Sequence, residues 1–583
     1  MAEAQTTDVL VVGYGAAGVC AALEARSRGA DVLAIDRFNG GGATQVSGGI
    51  IYAGGGTWVQ RQAGVDDDTD AMYAYLQAEI GDAVRPETLR RFVDDSPAMI
   101  DWLTEHGVPF EASVCPYKTS YPNNKYYLYY SGSENSGRFR EITPPAQRGH
   151  RAKGPGASGK KIYQPLAASA AARGVRTQFL TRAVALLADP SGRVVGVRTS
   201  TLAHAPAWVR RRYRAYAELA VKPGIYYPPL RAAMEKRLNR LESRYARTVD
   251  IHARKAVILS AGGYIANREL IAEHAPAYRE GLQLGTTGDD GAGIALAAEV
   301  GAAVDRLDNV SAWRFITPPS AFLGALVVDE HGQRFIDETR YGAAVGHAMI
   351  ADHGGRGWIL ADDRLLKQAR AQLPEQAIWF QRLQMEAMLR TDRVVGGTLE
   401  EVAAKAGVDP AGLVETVAAH NAAASAGLPD PMGKPAEFVK PVEQGPFSLI
   451  SISIRRSLLN PCPMFTLGGL IVDELTGAVT TPAGESIPGL YAAGRTAIGL
   501  CVNSYVSGLS IADCVFSGSS RRRACRRDGI HAVTVGRCRR ATCPTARPSR
   551  RSARWATDRR RCFGPRIRLR VGRTRRTTDR CRH

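Results

Sequence analysis

Asp8-Val9-Leu10-Val11-Val12-Gly13-Tyr14-Gly15-Ala16-Ala17-Gly18, followed after one helical stretch by Val32-Leu33-Ala34-Ile35-Asp36, decides how this chain folds. Val9 to Val12 is an uncharged, β-branched run, the pattern of a strand buried on both faces of a parallel sheet. Gly13, Gly15 and Gly18 follow it directly in Gly-x-Gly-x-x-Gly spacing. A helical pattern then runs through Val19, Ala22, Leu23 and Ala25 to a stop at Gly29. A second buried run ends on Asp36. The three glycines do different things. Gly13 permits a tight turn, Gly15 lets backbone approach a pyrophosphate, and Gly18 lets helix pack on strand. The helix start at Ala16 and Ala17 offers N–H groups to phosphate, and the Asp36 carboxylate can accept from a ribose hydroxyl. This is the unit of a Rossmann-like α/β domain that holds an adenine dinucleotide.

The next residues separate one dinucleotide from another. Gly40-Gly41-Gly42-Ala43-Thr44 and Ser47-Gly48-Gly49 make a second small-residue loop, with Gly54-Gly55-Gly56 close behind. Glycines accumulated beside the first site suit a long, flat cofactor touched by backbone along its length. On these residues, Asp8 to Thr57 resembles the FAD-binding flavoproteins of the fumarate reductase and 3-ketosteroid dehydrogenase group, and within it the 3-oxo-5α-steroid 4-dehydrogenases. The resemblance extends over roughly Asp8 to Gly518, apart from one insert. It implies a Rossmann-like FAD-binding domain with an inserted α+β substrate (capping) domain. It also implies cofactor contacts at Gly13, Gly15, Ala16, Ala17, Gly18, Asp36 and Arg37, then at Gly41, Gly42, Ala43, Thr44, Ser47, Gly48 and Gly49. Thr44 and Ser47 occupy the loop where some relatives carry a flavin-linking histidine, so the FAD is expected to be non-covalent.

Working outward, Val184-Ala185-Leu186-Leu187 and Val194-Val195-Gly196-Val197 flank a turn at Asp189 to Gly192 and read as a hairpin. By resemblance, Val184 offers its backbone to the adenine. Relatives continue almost directly to the strand at Lys255, whereas this chain inserts residues 202–247, with eleven basic and three acidic side chains interleaved with aromatics. The second half, Pro229 to Arg247, has helical spacing. Peripheral contact with an anionic membrane surface is one reading, and a solvated arm or subunit contact the other. Ala256 to Leu259 running into Ala261-Gly262-Gly263 is a further buried strand beside the cofactor. Gly285 to Gly291, with Asp290, opens a helix suited to the ribityl or flavin edge. Ile487 to Arg495, with Gly494 and Arg495, delivers small residues to the flavin, and a helix start at Leu509 and Ser510 aims its positive end at the flavin N1 and C2 oxygen. The domain reading is therefore 1–304 for the first part of the FAD domain, 305–462 for the substrate domain, 463–518 for the last part and 519–583 for a tail.

Composition limits the remaining classes. The formal charge of +20 resides in the tail: residues 519–583 hold 23 arginines, no lysine and three aspartates, leaving the body neutral. Arginine without lysine and without apolar periodicity resembles a GC-rich gene read out of frame. The tail is expected to be disordered, and no specific nucleic-acid partner is expected. Five scattered body cysteines, with no Cys-x-x-Cys or histidine cluster, fit a reducing cytoplasm and no metal. Neither a signal peptide nor a membrane span is expected. Tyrosines between 117 and 130 either line an apolar pocket or cap the cofactor, and His150 reads as structural.

The resemblance also implies a catalytic set. Tyr341, after Asp337-Glu338-Thr339-Arg340, stands where the steroid-oxidising members place a tyrosine. Tyr505 and Ser507 match the Tyr-x-Ser of the 4-dehydrogenases. Tyr505 is expected to polarise a ketone, with Ser507 relaying a proton to Tyr341 and Arg340 favouring its phenolate. The implied activity is desaturation beside the carbonyl of a 3-oxosteroid by α-proton abstraction and hydride transfer to flavin N5, with an electron acceptor of open identity. Two alternatives stand beside it: a fumarate reductase-type enzyme acting on another enone or enoate, and a non-catalytic flavin- or nucleic-acid-binding product.

Overall fold

The computed structural model describes residues 5–457 and 460–519. The expected disordered tail lies outside them except for Ser519. Strand β1 (Gln5–Val12), helix α1 (Ala16–Ser27) and strand β2 (Val32–Asp36) form the first βαβ half-unit. β1 and β2 pair in parallel, Val9 with Val32 through Val12 with Ile35. Both faces of this sheet are covered, so Leu10 and Val11 are wholly buried. Each such side chain stabilises the fold by ~1.5–3 kcal/mol.

After helices over Thr69–Ile80, Pro86–Asp94 and Ser96–Glu105, the chain returns to the sheet as β3 (Arg176–Phe179), β4 (Thr181–Ala188) and β5 (Val194–Thr201). β4 and β5 are the hairpin expected around Gly192. The insert follows as two helices, α2 (Ala207–Val221) and α3 (Pro228–Tyr245), leading into β6 (Arg247–Leu259). Part of its apolar surface is core, since Val209, Tyr213 and Leu238 are buried in one cluster with Leu180 and Leu202, against which Phe38 packs, whereas Trp208, Leu219, Tyr226 and Tyr227 are exposed. Basic charge marks the outer face of the hairpin, while its inner face is core.

The segment expected to carry substrate leaves and returns through two antiparallel pairs, Val304–Asp305 with Gly469–Leu470 and Val310–Ala312 with Pro463–Thr466. It contains β7 (Leu326–Val328), α4 (Gly342–Asp352), β8 (Trp358–Ala361), α5 (Trp379–Thr391), β9 (Arg393–Gly396) and β10 (Phe447–Ser451). These strands form one antiparallel sheet in the order β7-β8-β10-β9. Val327, Ile359 and Ile450 face one apolar cluster, and Leu326, Leu360 and Leu449 face another. Both faces are covered, which explains the unbroken apolar runs in the sequence.

The chain then re-enters the first sheet as β11 (Ala478–Thr480) and β12 (Ser486–Ala492), and helix α6 (Leu509–Ser519) packs on α1. The main path of the sheet is β11-β12-β6-β1-β2-β3, with β5 and β4 joined along the far half of β6. Among the described residues no helix is long and apolar enough to cross a membrane.

Candidate active site

At the carboxyl ends of β1, β2 and β6 the three motif glycines separate by geometry. Gly13 has φ +94°, and a methyl group on it would stand 2.4 Å from Ser260 O. A methyl on Gly18 would stand 2.0 Å from Gly13 O. Gly15 differs, because nothing lies nearer to its missing methyl than Gly41 O at 3.8 Å. Protein packing demands glycine at the first two positions. At Gly15 the space belongs to a continuous cavity of about 740 Å³. That open cradle at a helix start is what a bound pyrophosphate requires, so these residues fit an FAD.

Asp36 lies on the same wall. Its Oδ2 accepts from Tyr14 N at 3.0 Å and its Oδ1 from Phe38 N at 2.8 Å. Burial pushes the carboxyl pKa up and these N–H groups oppose the rise. Arg37 reaches past Asp36 to Asp290 at 3.1 Å and to Glu242 of α3 at 2.9 Å. Asp290 also accepts from Ala292 N at 3.1 Å, at the start of the following helix. Asp289 holds Arg495 at 2.7 Å.

The expected catalytic side chains meet on the opposite part of the cavity. Tyr341 immediately precedes α4, and its backbone N donates to Ser133 Oγ at 3.1 Å. Tyr505 and Ser507 come from the loop before α6. The Tyr341 and Tyr505 rings lie 6.3 Å apart, centroid to centroid. Trp313, Phe465 and Phe315 complete an aromatic box, at 5.3 Å and 4.8 Å from Tyr505 and 6.0 Å from Tyr341 respectively. Tyr129 OH lies 3.4 Å from Ser507 Oγ. Burial raises the Tyr341 pKa, a hydrogen bond with Ser507 offsets part of the rise, and Glu134 adds to it. Burial raises the Tyr505 pKa as well and keeps it protonated. Its oxygen accepts from Gly508 N at 3.4 Å, leaving the O–H as a donor.

Arg340 does not serve Tyr341. Its guanidinium donates to Ser133 Oγ, pairs with Glu79 at 3.7 Å and lies over the Phe139 ring. Because α4 begins immediately after Tyr341, the two neighbouring side chains point to different surroundings. Val184, expected to offer its backbone, has its side chain 41% exposed, and Thr181 to Ala183 line the adjacent stretch of the cavity. Strand alternation turns one side chain in and the next out. Ala16, Ala17, Gly42, Ala43, Thr44, Ser47, Gly48, Gly49, Ala261, Gly262 and Ser510 line the cavity, whereas Gly18, Gly41, Gly494 and Leu509 do not.

Of the tyrosines between 117 and 130, Tyr121 alone lines the cavity. His150 is fully buried with its pKa lowered to about 4 by desolvation, and Nε2 lies 2.8 Å from Thr57 Oγ1. It is structural. Sequence reasoning missed Trp313, Arg314 and Phe315, and Met385 and Met388 of α5, all on the wall. No motif marks them; the only signal was an aromatic pair between a short strand and two prolines. Arg314 is 3% exposed and donates to the carbonyls of Ser453 and Asn460. No cluster of metal-ligating side chains occurs among the described residues.

Residues 8–508 match the model of a family described as FAD binding domain. The 3-oxo-5-alpha-steroid 4-dehydrogenase of Comamonas testosteroni is 37% identical over 495 residues, covering 84% of this chain and 92% of the relative. The probable fumarate reductase Ifc3 of Shewanella frigidimarina is 25% identical over 529 residues, covering 88% of this chain and 74% of the relative. Among solved structures, the 3-ketosteroid-Δ4-(5α)-dehydrogenase of Rhodococcus jostii RHA1 in complex with 4-androstene-3,17-dione superimposes with a TM-score of 0.74 at 29% identity. That match covers 89% of this chain and 97% of the other.

Proposed function

We propose, from the premise that this chain belongs to the FAD binding domain family and is an FAD-dependent oxidoreductase, that it desaturates a 3-oxosteroid beside its carbonyl. The observation that carries the reading is the convergence of Tyr341, Tyr505 and Ser507 on one aromatic-walled cavity continuous with the glycine cradle. The substrate class follows from the relatives named for 3-oxo-5-alpha-steroids and from the wall itself. Trp313, Phe315, Phe465, Met385 and Met388 offer apolar surface to a flat polycyclic ketone. The guanidiniums on the wall each have a protein partner, Arg37 and Arg182 in Asp290, Arg495 in Asp289 and Arg314 in carbonyls, while Arg314 Nε and Arg495 Nη1 make no hydrogen bond among the described residues.

In this reading Asp36 faces the ribose and Gly15 the pyrophosphate. Bound FAD supplies the hydride acceptor. Tyr505 donates its O–H to the C3 carbonyl oxygen and stabilises the charge that develops as the α-carbon loses its proton. Ser507 takes that proton and passes it to Tyr341. The C–H electrons become the new C=C bond as the neighbouring carbon gives up its hydride. Tyr341 starts as a phenol, because burial raises its pKa. Loss of its proton is therefore the alkaline requirement of the reaction. A cytoplasmic location belongs to the same reading and rests on the five free cysteines of the described residues.

Anaerobic mixing with saturated 3-ketosteroids should bleach the bound flavin, whereas succinate should not. Tyr505→Phe should slow that bleaching ~10²–10³-fold, the usual cost of one lost oxyanion donor. Bleaching by succinate alone, or an unaffected Tyr505→Phe, would end the proposal.

A further inference from the structure

The hairpin formed by α2 and α3 is anchored to both loops that border the cofactor cradle. At one end Glu242 takes the Arg37 guanidinium at 2.9 and 3.1 Å, and the Tyr213 hydroxyl donates to the same carboxylate. The Tyr213 ring stacks on Phe38 with centroids 6.1 Å apart, and Arg214 donates to Asn39 Oδ1 at 3.2 Å. Residues 36–40 are thus held from outside by the insert. At the other end Arg231, only 5% exposed, donates to Gln283 O at 3.2 Å and Thr286 O at 3.0 Å. Those carbonyls belong to the loop that presents Asp289 and Asp290. Between the two anchors Ala217, Glu218, Val221, Lys222 and Tyr226 form part of the cavity wall itself.

We propose that residues 202–247 are part of the FAD-binding site, a clasp closed over the adenosine end of the cofactor. The end is identified by its anchor: residues 36–40 follow the tip of β2, where a Rossmann-like unit holds the adenine ribose. Arg37 joins the two halves of the device. It binds Asp290 on the cofactor side and Glu242 on the clasp side, so its guanidinium transmits the position of one to the other. The hairpin and the cofactor then stabilise one another. FAD enters while the hairpin is lifted, and the seated hairpin slows its escape. Whatever loosens the hairpin weakens FAD binding, and whatever binds FAD tightens the hairpin, by the same factor.

The hairpin carries its own reporter, because its lysines and arginines are tryptic sites. Limited trypsinolysis of the full-length holoprotein and of the same protein stripped of FAD should differ within residues 207–245. Cleavage there should be rapid in the apoprotein and suppressed when FAD is restored. Glu242→Gln removes the charge that holds Arg37, and Arg231→Met removes the opposite anchor. Each should speed FAD dissociation, measured by recovery of flavin fluorescence on dilution, by about tenfold to a hundredfold, the scale for breaking a partly buried charged hydrogen bond. Equal cleavage of the hairpin with and without FAD would overturn the proposal, as would unchanged dissociation from both variants. The cleavage comparison uses the unaltered chain, so it decides even if a variant does not fold.

Discussion

Gly15→Ala and Gly18→Ala, three residues apart on one motif, should fail in opposite ways. Gly15 has φ −84° and ψ −163°, which alanine adopts freely, and its added methyl would meet nothing of the protein inside 3.8 Å. Losing glycine at a helix N-cap costs ~0.5–1 kcal/mol, and the stiffer unfolded chain returns ~0.4–1 kcal/mol, so apoprotein stability should barely change. The methyl would instead enter the cradle. Displacing one hydrogen bond to a charged phosphate costs ~1.5–3 kcal/mol, or about 10- to 150-fold in FAD affinity. At Gly18 the methyl would lie 2.0 Å from Gly13 O and 2.8 Å from Ser260 Oγ, inside van der Waals contact with backbone that cannot yield. Overpacking of that kind costs at least ~1–3 kcal/mol and should lower apoprotein stability. Denaturant melts of the two apoproteins and FAD titrations by fluorescence separate the effects. If Gly15→Ala binds FAD like the parent, or unfolds as Gly18→Ala does, the division of labour among the glycines is wrong.

Two further outcomes follow from buried groups. Because the Tyr341 pKa is raised by burial, the rate of flavin reduction by a 3-ketosteroid should climb with pH through the neutral range without levelling. Tyr341→Phe should slow reduction and flatten that climb, and stopped-flow profiles of the two proteins check it. Asp513, 8% exposed on α6, has its pKa raised by burial from 3.8 to about 7. The favourable protonated state is fully populated below its unfolded pKa and lost as pH rises through about 7, at a cost approaching ~4 kcal/mol. Asp513→Asn should therefore gain melting temperature over the parent as pH rises from about 4 to about 8. A gap that stays constant over that range refutes the assignment.

What the sequence made legible is what local chemistry alone determines. The Gly13–Gly18 turn was readable because its glycine spacing, the strand before it and the helix after it are local, although the Ser260 backbone that enforces glycine at 13 lies far along the chain. The apolar runs of β1, β6 and β12 were readable because strands covered on both faces tolerate little else. Tyr341, Tyr505 and Ser507 were named through resemblance, but their meeting depends on a loop and a helix start far apart in the chain. Arg340 was misplaced because adjacency in sequence says nothing of direction where a helix begins. The packing of the insert was hidden for a related reason. Eleven basic side chains reveal which face of a helix meets water, and they are silent about what the other face covers. Trp313 and Arg314 carry no spacing signal, since a wall assembled from several elements has no period.

The order of the strands also constrains how the protein is made. β6 pairs with β1 on one edge and with β12 on the other, Val257 opposite Leu490, and α6 seats on α1. Arg495, Tyr505, Ser507 and Ser510 therefore join the cavity only after everything between β6 and β12 has been translated. During synthesis the glycine turn leaves the ribosome well before β6 and must wait, one sheet edge unpaired, for that partner strand more than two hundred residues behind it. Flavin loading is consequently a late event in the life of the polypeptide. Until β12 arrives, β6 carries an unpaired edge open to other strands.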